Sequence, residues 1–123
     1  MSQTRILFVD DDADLRKIVN DQLTALGYVL DEAEDGNTAV QKLEKGNYDV
    51  MLLDINMPGK SGIDVLKVIK DKALKTKVIM LTGRVGFSVA TESLKLGAYD
   101  YITKPFNLDY LVFSIKRVLE KPA

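Results

Sequence analysis

Five short apolar runs, each followed by a stretch of helical periodicity, constrain this chain more than any other feature. The runs cover residues 6–9, 28–33, 50–53, 78–81 and 99–103. Apolar runs this short, bounded by turn residues, suit strands buried on both faces of a parallel sheet. The intervening stretches carry apolar residues on one helical arc each. Leu15, Ile18, Val19, Leu23 and Leu26 form the first, capped by Asp12 or Asp14 and closed by Gly27. Ala39, Val40 and Leu43 follow the Asp35-Gly36 turn, and Ile63, Leu66 and Ile69 follow a loop through Pro58, Gly59 and Gly62. Phe87, Ala90 and Leu94 mark a fourth helix, after a Gly86 turn. Leu108, Leu111, Val112, Ile115, Val118 and Leu119 mark the fifth and clearest. Strands and helices so closely spaced admit only right-handed parallel crossovers, so the predicted fold is a doubly wound α/β sandwich. One domain over residues 1–123 is expected, with its core over 4–119 and no output domain in this chain.

Composition narrows the chemistry. Seventeen basic and 18 acidic residues give a net charge of −1, with no general attraction to nucleic acid or to a membrane surface. Neither cysteine nor histidine occurs. Their absence excludes disulfides, thiolate metal sites, a Ser-His-Asp triad and a phosphohistidine on this chain. No apolar segment is long enough for a signal peptide or membrane span, so a cytoplasmic location is the expectation. Chemistry is left to Asp, Glu, Lys, Ser, Thr and Tyr.

The carboxyl ends of the runs carry those residues. The first run stops on Asp10-Asp11-Asp12, the third on Asp54, the fourth on Thr82 and the fifth on Lys104. Singly, each has an ordinary explanation: a turn and helix cap, a loop cap, a strand threonine, a surface lysine. Together they occupy the edge where open α/β sheets place their ligand crevices. Two carboxylates about 4 Å apart repel by about 4 kcal/mol at an effective dielectric of about 20, so an acidic cluster calls for a cation or a shared proton. A hard divalent ion with oxygen ligands answers that, and Mg²⁺ fits best because it takes few carboxylates and leaves room for phosphate oxygens.

The segments Val9-Asp10-Asp11-Asp12, Leu53-Asp54-Ile55-Asn56-Met57-Pro58-Gly59, Leu81-Thr82-Gly83 and Tyr101-Ile102-Thr103-Lys104-Pro105-Phe106 resemble those of the response regulator receiver domain. This is the phosphoacceptor module of two-component signalling, and the resemblance runs from Thr4 to Leu119. It implies a three-layer, flavodoxin-like (βα)5 sandwich with a parallel five-stranded sheet of order 2-1-3-4-5. It also implies that Asp54 accepts a phosphoryl group from a histidine kinase or histidine phosphotransfer protein. Mg²⁺, or Mn²⁺ in its place, would be held by Asp11, Asp54 and the backbone carbonyl of Asn56, with help from Asp10. Lys104 would contact a phosphoryl oxygen, the Lys104-Pro105 peptide would be cis, and Thr82 and Tyr101 would form the switch. Asp12, Gly83 and Arg84 depart from or vary within the family pattern and would be accessory, with Gly83 leaving room beside the phosphoryl. On this reading the chain is not a turnover enzyme but assists its own phosphorylation and dephosphorylation.

Apolar residues off the core arcs predict a partner surface. Tyr110 and Phe113 on the last helix, Val89 and Leu96 on the preceding one, and Tyr101 would form a face for an effector or homodimer built from the last two helices and last strand. Ile18, at the edge of the first helical arc, resembles with Pro105 the kinase-docking patch of the receiver family, and the resemblance implies that role for it. Three rival readings fit less well. A phosphatase of the haloacid dehalogenase type needs an acid two residues after its nucleophile, where this chain has Asn56. A flavodoxin-like electron carrier needs a phosphate cradle that three aspartates would repel. A phosphorylation-independent pseudo-receiver, acting as an interaction module, would not need the full set of acceptor-site residues.

Overall fold

A computed structural model describes residues 3–57, 60–83 and 87–122. Strands and helices alternate along the chain: β1 (Arg5–Val9), α1 (Ala13–Ala25), β2 (Val29–Ala33), α2 (Gly36–Lys45), β3 (Val50–Asp54), α3 (Gly62–Asp71), β4 (Lys77–Thr82), α4 (Phe87–Lys95), β5 (Asp100–Thr103) and α5 (Leu108–Glu120). The strands form one parallel sheet of order β2-β1-β3-β4-β5, as expected. β1 and β3 are therefore neighbours, with Val9 paired to Leu53, and the chain reverses its winding direction between them.

Side-chain alternation along the strands divides the core into two layers. Leu7, Val9, Met51, Leu53, Val78 and Met80 face Leu43, Leu66 and Ile69 of α2 and α3. Ile6, Phe8, Leu52, Ile79 and Leu81 face Val19 and Leu23 of α1 and Leu111, Ile115 and Val118 of α5. All five residues of β3 are buried. Leu52→Ala, in the central strand, is expected to cost about 3 kcal/mol, read as a lowered urea midpoint.

Short polar side chains set where the helices begin. Asp12 Oδ1 accepts from the Leu15 amide at 3.1 Å and Asp35 Oδ1 from the Thr38 amide at 2.8 Å. Ser61 and Asp64 form a reciprocal capping box, and Asn107 caps α5. Gly27 and Gly97 sit at φ +99° and +104°, the left-handed conformation that ends α1 and α4.

Two helical arcs differ from expectation. On α4, Leu94 is 52% exposed, while Val89 and, one residue past the helix end, Leu96 are partly buried and pack against the core layer of α2 and α3. The inward face runs through Val89, Ser93 and Leu96. Ser93 is fully buried, its hydroxyl donating to the Val89 carbonyl at 3.0 Å. A serine satisfied by its own helix can occupy a core position, and this one disguised the arc. On α1, Leu26 falls outside the helix as its C-cap and is exposed, leaving Val19 and Leu23 to fill the core, while Ile18, expected at the edge of the arc, is exposed as a docking residue would be.

Candidate functional site

The carboxyl ends of β1, β3, β4 and β5 converge on one crevice. Carboxylate oxygens of Asp10, Asp11 and Asp54 all lie within 4.8 Å of one another. Asp10 and Asp54 are buried and Asp11 is exposed, so the cluster opens to solvent on one side. Lys104 reaches in from beyond β5, its Nζ 2.5 Å from Asp10 Oδ2 and 3.5 Å from Asp54 Oδ2. The Lys104-Pro105 peptide is cis, as expected. Asn56 donates its backbone N–H to Asp54 Oδ1 at 3.2 Å.

These charges compete. Burial pushes the Asp54 carboxyl above the usual carboxylate range; the Lys104 ammonium and the Asn56 amide oppose that shift, and Asp10 and Asp11 add to it. For Lys104, burial alone would lower the ammonium, but the hydrogen bond and charge of Asp10, with Asp54 beyond, hold it above its ordinary value. One ammonium against three carboxylates leaves a negative excess, and all the ligand atoms are hard oxygens, which is the donor set a divalent ion such as Mg²⁺ takes. Lys104→Ala would leave buried Asp10 without its cation. An expected loss of about 2–3 kcal/mol, reduced because Lys104 is partly exposed, is measurable by denaturant unfolding.

Thr82 is fully buried at the end of β4, beside the Leu81 that pairs with Asp54. Its Oγ1 is the buried side-chain polar atom without a hydrogen-bond partner among the described residues. Such a group is costly unless something arrives to use it.

The remaining candidates sort into separate roles. Asp12 caps α1 and donates its N–H to Asp10 Oδ1 at 2.9 Å, so it supports the cluster without joining it. A Cβ added at Gly83 would meet no described atom within 4 Å, so the room there does not depend on glycine. Arg84, Pro58, Gly59 and Gly86 lie outside the described residues. Tyr101 is half-buried against the layer holding α4, and burial pushes its phenol above the ordinary value. Pro105, Lys104, Phe106, Leu15 and Gly83 line a cleft of about 400 Å³ beside the crevice, and Ile18 is exposed on α1. Tyr110 and Phe113 are 46% and 56% exposed and stack at 6.4 Å, whereas Val89 and Leu96 belong to the core side of α4 rather than to an exposed face.

Gly62 is a positioning element that the sequence marked only as part of a loop. A Cβ there would lie 2.4 Å from the Asp54 carbonyl oxygen and 2.8 Å from Ile55 Cα, so α3 starts directly against the end of β3. The signal was present as a glycine immediately after the N-cap Ser61.

Comparison with known proteins agrees with this geometry. Residues 6–116 match the response regulator receiver domain family, and the chain belongs to that family. Receiver domains are the modules of two-component systems that interact with histidine kinases and effector domains and bind Mg²⁺ at an acidic pocket. The chain is 38% identical over 120 residues to the transcriptional regulatory protein ResD of Bacillus subtilis, covering 98% of this chain and 50% of ResD. It is 37% identical to the chemotaxis protein CheY of Pseudomonas aeruginosa, covering 95% of this chain and 97% of CheY. Among solved structures, the response regulator TrrA of Thermotoga maritima in complex with Mg²⁺-BeF superposes with a TM-score of 0.85 at 38% identity, covering 94% of this chain and 99% of TrrA. The chain thus spans about half the length of the transcriptional regulator and nearly all of the chemotaxis protein. No described helix is long and apolar enough to cross a membrane.

Proposed function

We propose that Asp54 is a phosphoacceptor, taking a phosphoryl group from a histidine kinase or histidine phosphotransfer protein in a Mg²⁺-dependent reaction. The observation that carries this is the buried, unpartnered Thr82 hydroxyl one residue beyond the strand partner of Asp54. An incoming phosphoryl oxygen would accept its hydrogen bond. The fixed Lys104 ammonium would then exchange part of its interaction with Asp10 and Asp54 for a second phosphoryl oxygen. Asp54 supplies the attacking carboxylate oxygen. Asp11, Asp54 and the Asn56 carbonyl would hold the ion, with Asp10 behind them. When bound, Mg²⁺ neutralises charge on the transferring oxygens so that one anion can approach another.

The chain acts as a switch rather than as a turnover enzyme. Movement of Thr82 toward the phosphoryl would vacate space beside β4 for Tyr101, which already lies half-buried on that side. Moving such an equilibrium from mostly inactive to mostly active needs about 5.5 kcal/mol of differential stabilisation, and the new Thr82 and Lys104 contacts supply part of it. Tyr110 and Phe113 with Tyr101 form the readout face, for an effector or a second copy. Mg²⁺-BeF binding by TrrA supports the same chemistry here.

The test is metal removal. Incubation with acetyl phosphate and Mg²⁺ is expected to give one alkali- and hydroxylamine-labile phosphoryl per chain, and excess EDTA to abolish it. An adduct that forms equally well in EDTA would contradict the metal-dependent mechanism, and no adduct with Mg²⁺ would leave a phosphorylation-independent interaction module.

A further inference from the structure

Arg16 of α1 is absorbed by none of the roles above, yet it touches the acidic cluster. Its Nη1 donates to the backbone carbonyl of Asp10 at 2.6 Å, and its Nε donates to Glu32 Oε1 on β2 at 3.1 Å. Glu32 is itself held: its Oε2 accepts from Asn20 Nδ2 at 2.5 Å, and its backbone carbonyl accepts from Lys42 of α2. The Arg16 side chain is only 15% exposed, so its charge is committed to these two contacts.

The carbonyl that Arg16 holds belongs to the peptide leading from Asp10 into Asp11. That peptide sets the direction in which Asp11 leaves the strand. Asp10 is fixed in three other ways: its N–H donates to Ala33, Oδ1 accepts from the Asp12 amide, and Oδ2 accepts from Lys104. The exposed carboxylate of Asp11 accepts no hydrogen bond from a described residue, so its direction is set by the peptides on either side: the one after it is held by the Asp12 amide on Asp10 Oδ1, and the one before it by Arg16. We propose that the Arg16–Glu32 pair is a positioning device that locks the Asp10–Asp11 peptide and so sets the affinity of the cluster for a divalent cation.

The inference rests on the Mg²⁺ reading above and makes a prediction opposite to simple electrostatics. Removing a cation beside an acidic cluster should tighten a divalent ion if only charge matters. Removing a positioning contact behind metal ligands weakens it, typically tenfold or more. Lysine keeps the charge of Arg16 but cannot make both contacts in the fixed geometry of a guanidinium.

The test is calorimetric titration of the full chain with MgCl₂, at a temperature where circular dichroism shows every variant folded. Arg16→Lys and Arg16→Gln are each expected to weaken Mg²⁺ by about tenfold. Tyr48→Phe removes the 2.6 Å hydrogen bond to Asp31 on the same edge strand without touching the cluster, and is expected to bind as wild type does. Tighter binding by Arg16→Gln, or unchanged affinity in both Arg16 variants with only a lowered melting temperature, overturns the proposal. A wild-type chain that takes up no Mg²⁺ overturns the metal reading itself, so the two failures are distinguishable.

Discussion

Asp54→Asn is expected to abolish phosphoryl uptake completely while raising the melting temperature at neutral pH in the absence of divalent metal. The two effects have one cause. Asp54 is buried beside Asp10 and Asp11, and its carboxyl titrates above the usual range because burial disfavours its charge. A raised folded-state pKa means that the folded chain binds this proton more tightly than the unfolded chain does. The contribution of Asp54 therefore favours folding at acid pH and is lost as pH rises through its folded pKa. At neutral pH the ionised carboxylate is a net burden, and asparagine removes it while keeping the shape. The stability gain of Asp54→Asn should shrink as pH falls through the carboxylate range. Saturating Mg²⁺ should reverse the order, stabilising wild type more than the variant. Thermal unfolding from pH 4 to 8, with and without Mg²⁺, checks both signs. A variant less stable than wild type at neutral pH without metal would contradict the electrostatic account of the crevice.

Gly62→Ala is expected to cost about 3 kcal/mol or more and to impair phosphoryl uptake beyond what that loss of stability explains. The added methyl would meet the Asp54 carbonyl oxygen at 2.4 Å and Ile55 Cα at 2.8 Å. Both are backbone atoms, so either the end of β3 or the start of α3 must move. The Gly62 amide also donates to the Ile55 carbonyl at 3.0 Å, tying the helix start to the residue after the acceptor. Leu52→Ala provides the comparison. It should destabilise by a similar amount from the other side of the same strand while leaving the crevice in register. If both variants, measured well below their melting temperatures, accept phosphoryl at the same rate, Gly62 is structural only.

Much of this was legible in the residues because two periodicities agreed. The apolar runs at 6–9, 50–53 and 78–81 are the central strands, and each ends where the sheet presents its crevice. Asp10, Asp11, Asp54, Thr82 and Lys104 were visible because each interrupts an apolar run with a group that a core rejects. Where polar side chains are satisfied locally, that contrast fails. Ser93 bonds to its own helix and is fully buried, and the α4 arc was read from Leu94 instead of Leu96. Arg16 and Glu32 escaped notice for a related reason. They lie 16 residues apart on different elements, and only the fold makes them neighbours. Gly62 was readable as a glycine at a helix start after Ser61, but which backbone it lets approach, the end of β3, only the fold shows.

The central claim is that Asp54 takes a phosphoryl group at this crevice. Its most direct test is intact-mass measurement of the chain after incubation with acetyl phosphate and Mg²⁺, followed by borohydride reduction and peptide mapping of the modified carboxyl. The account predicts a single added phosphoryl, lost in Asp54→Asn and mapped to Asp54. An adduct located on Asp10 or Asp11, or one that persists in the variant, would contradict it.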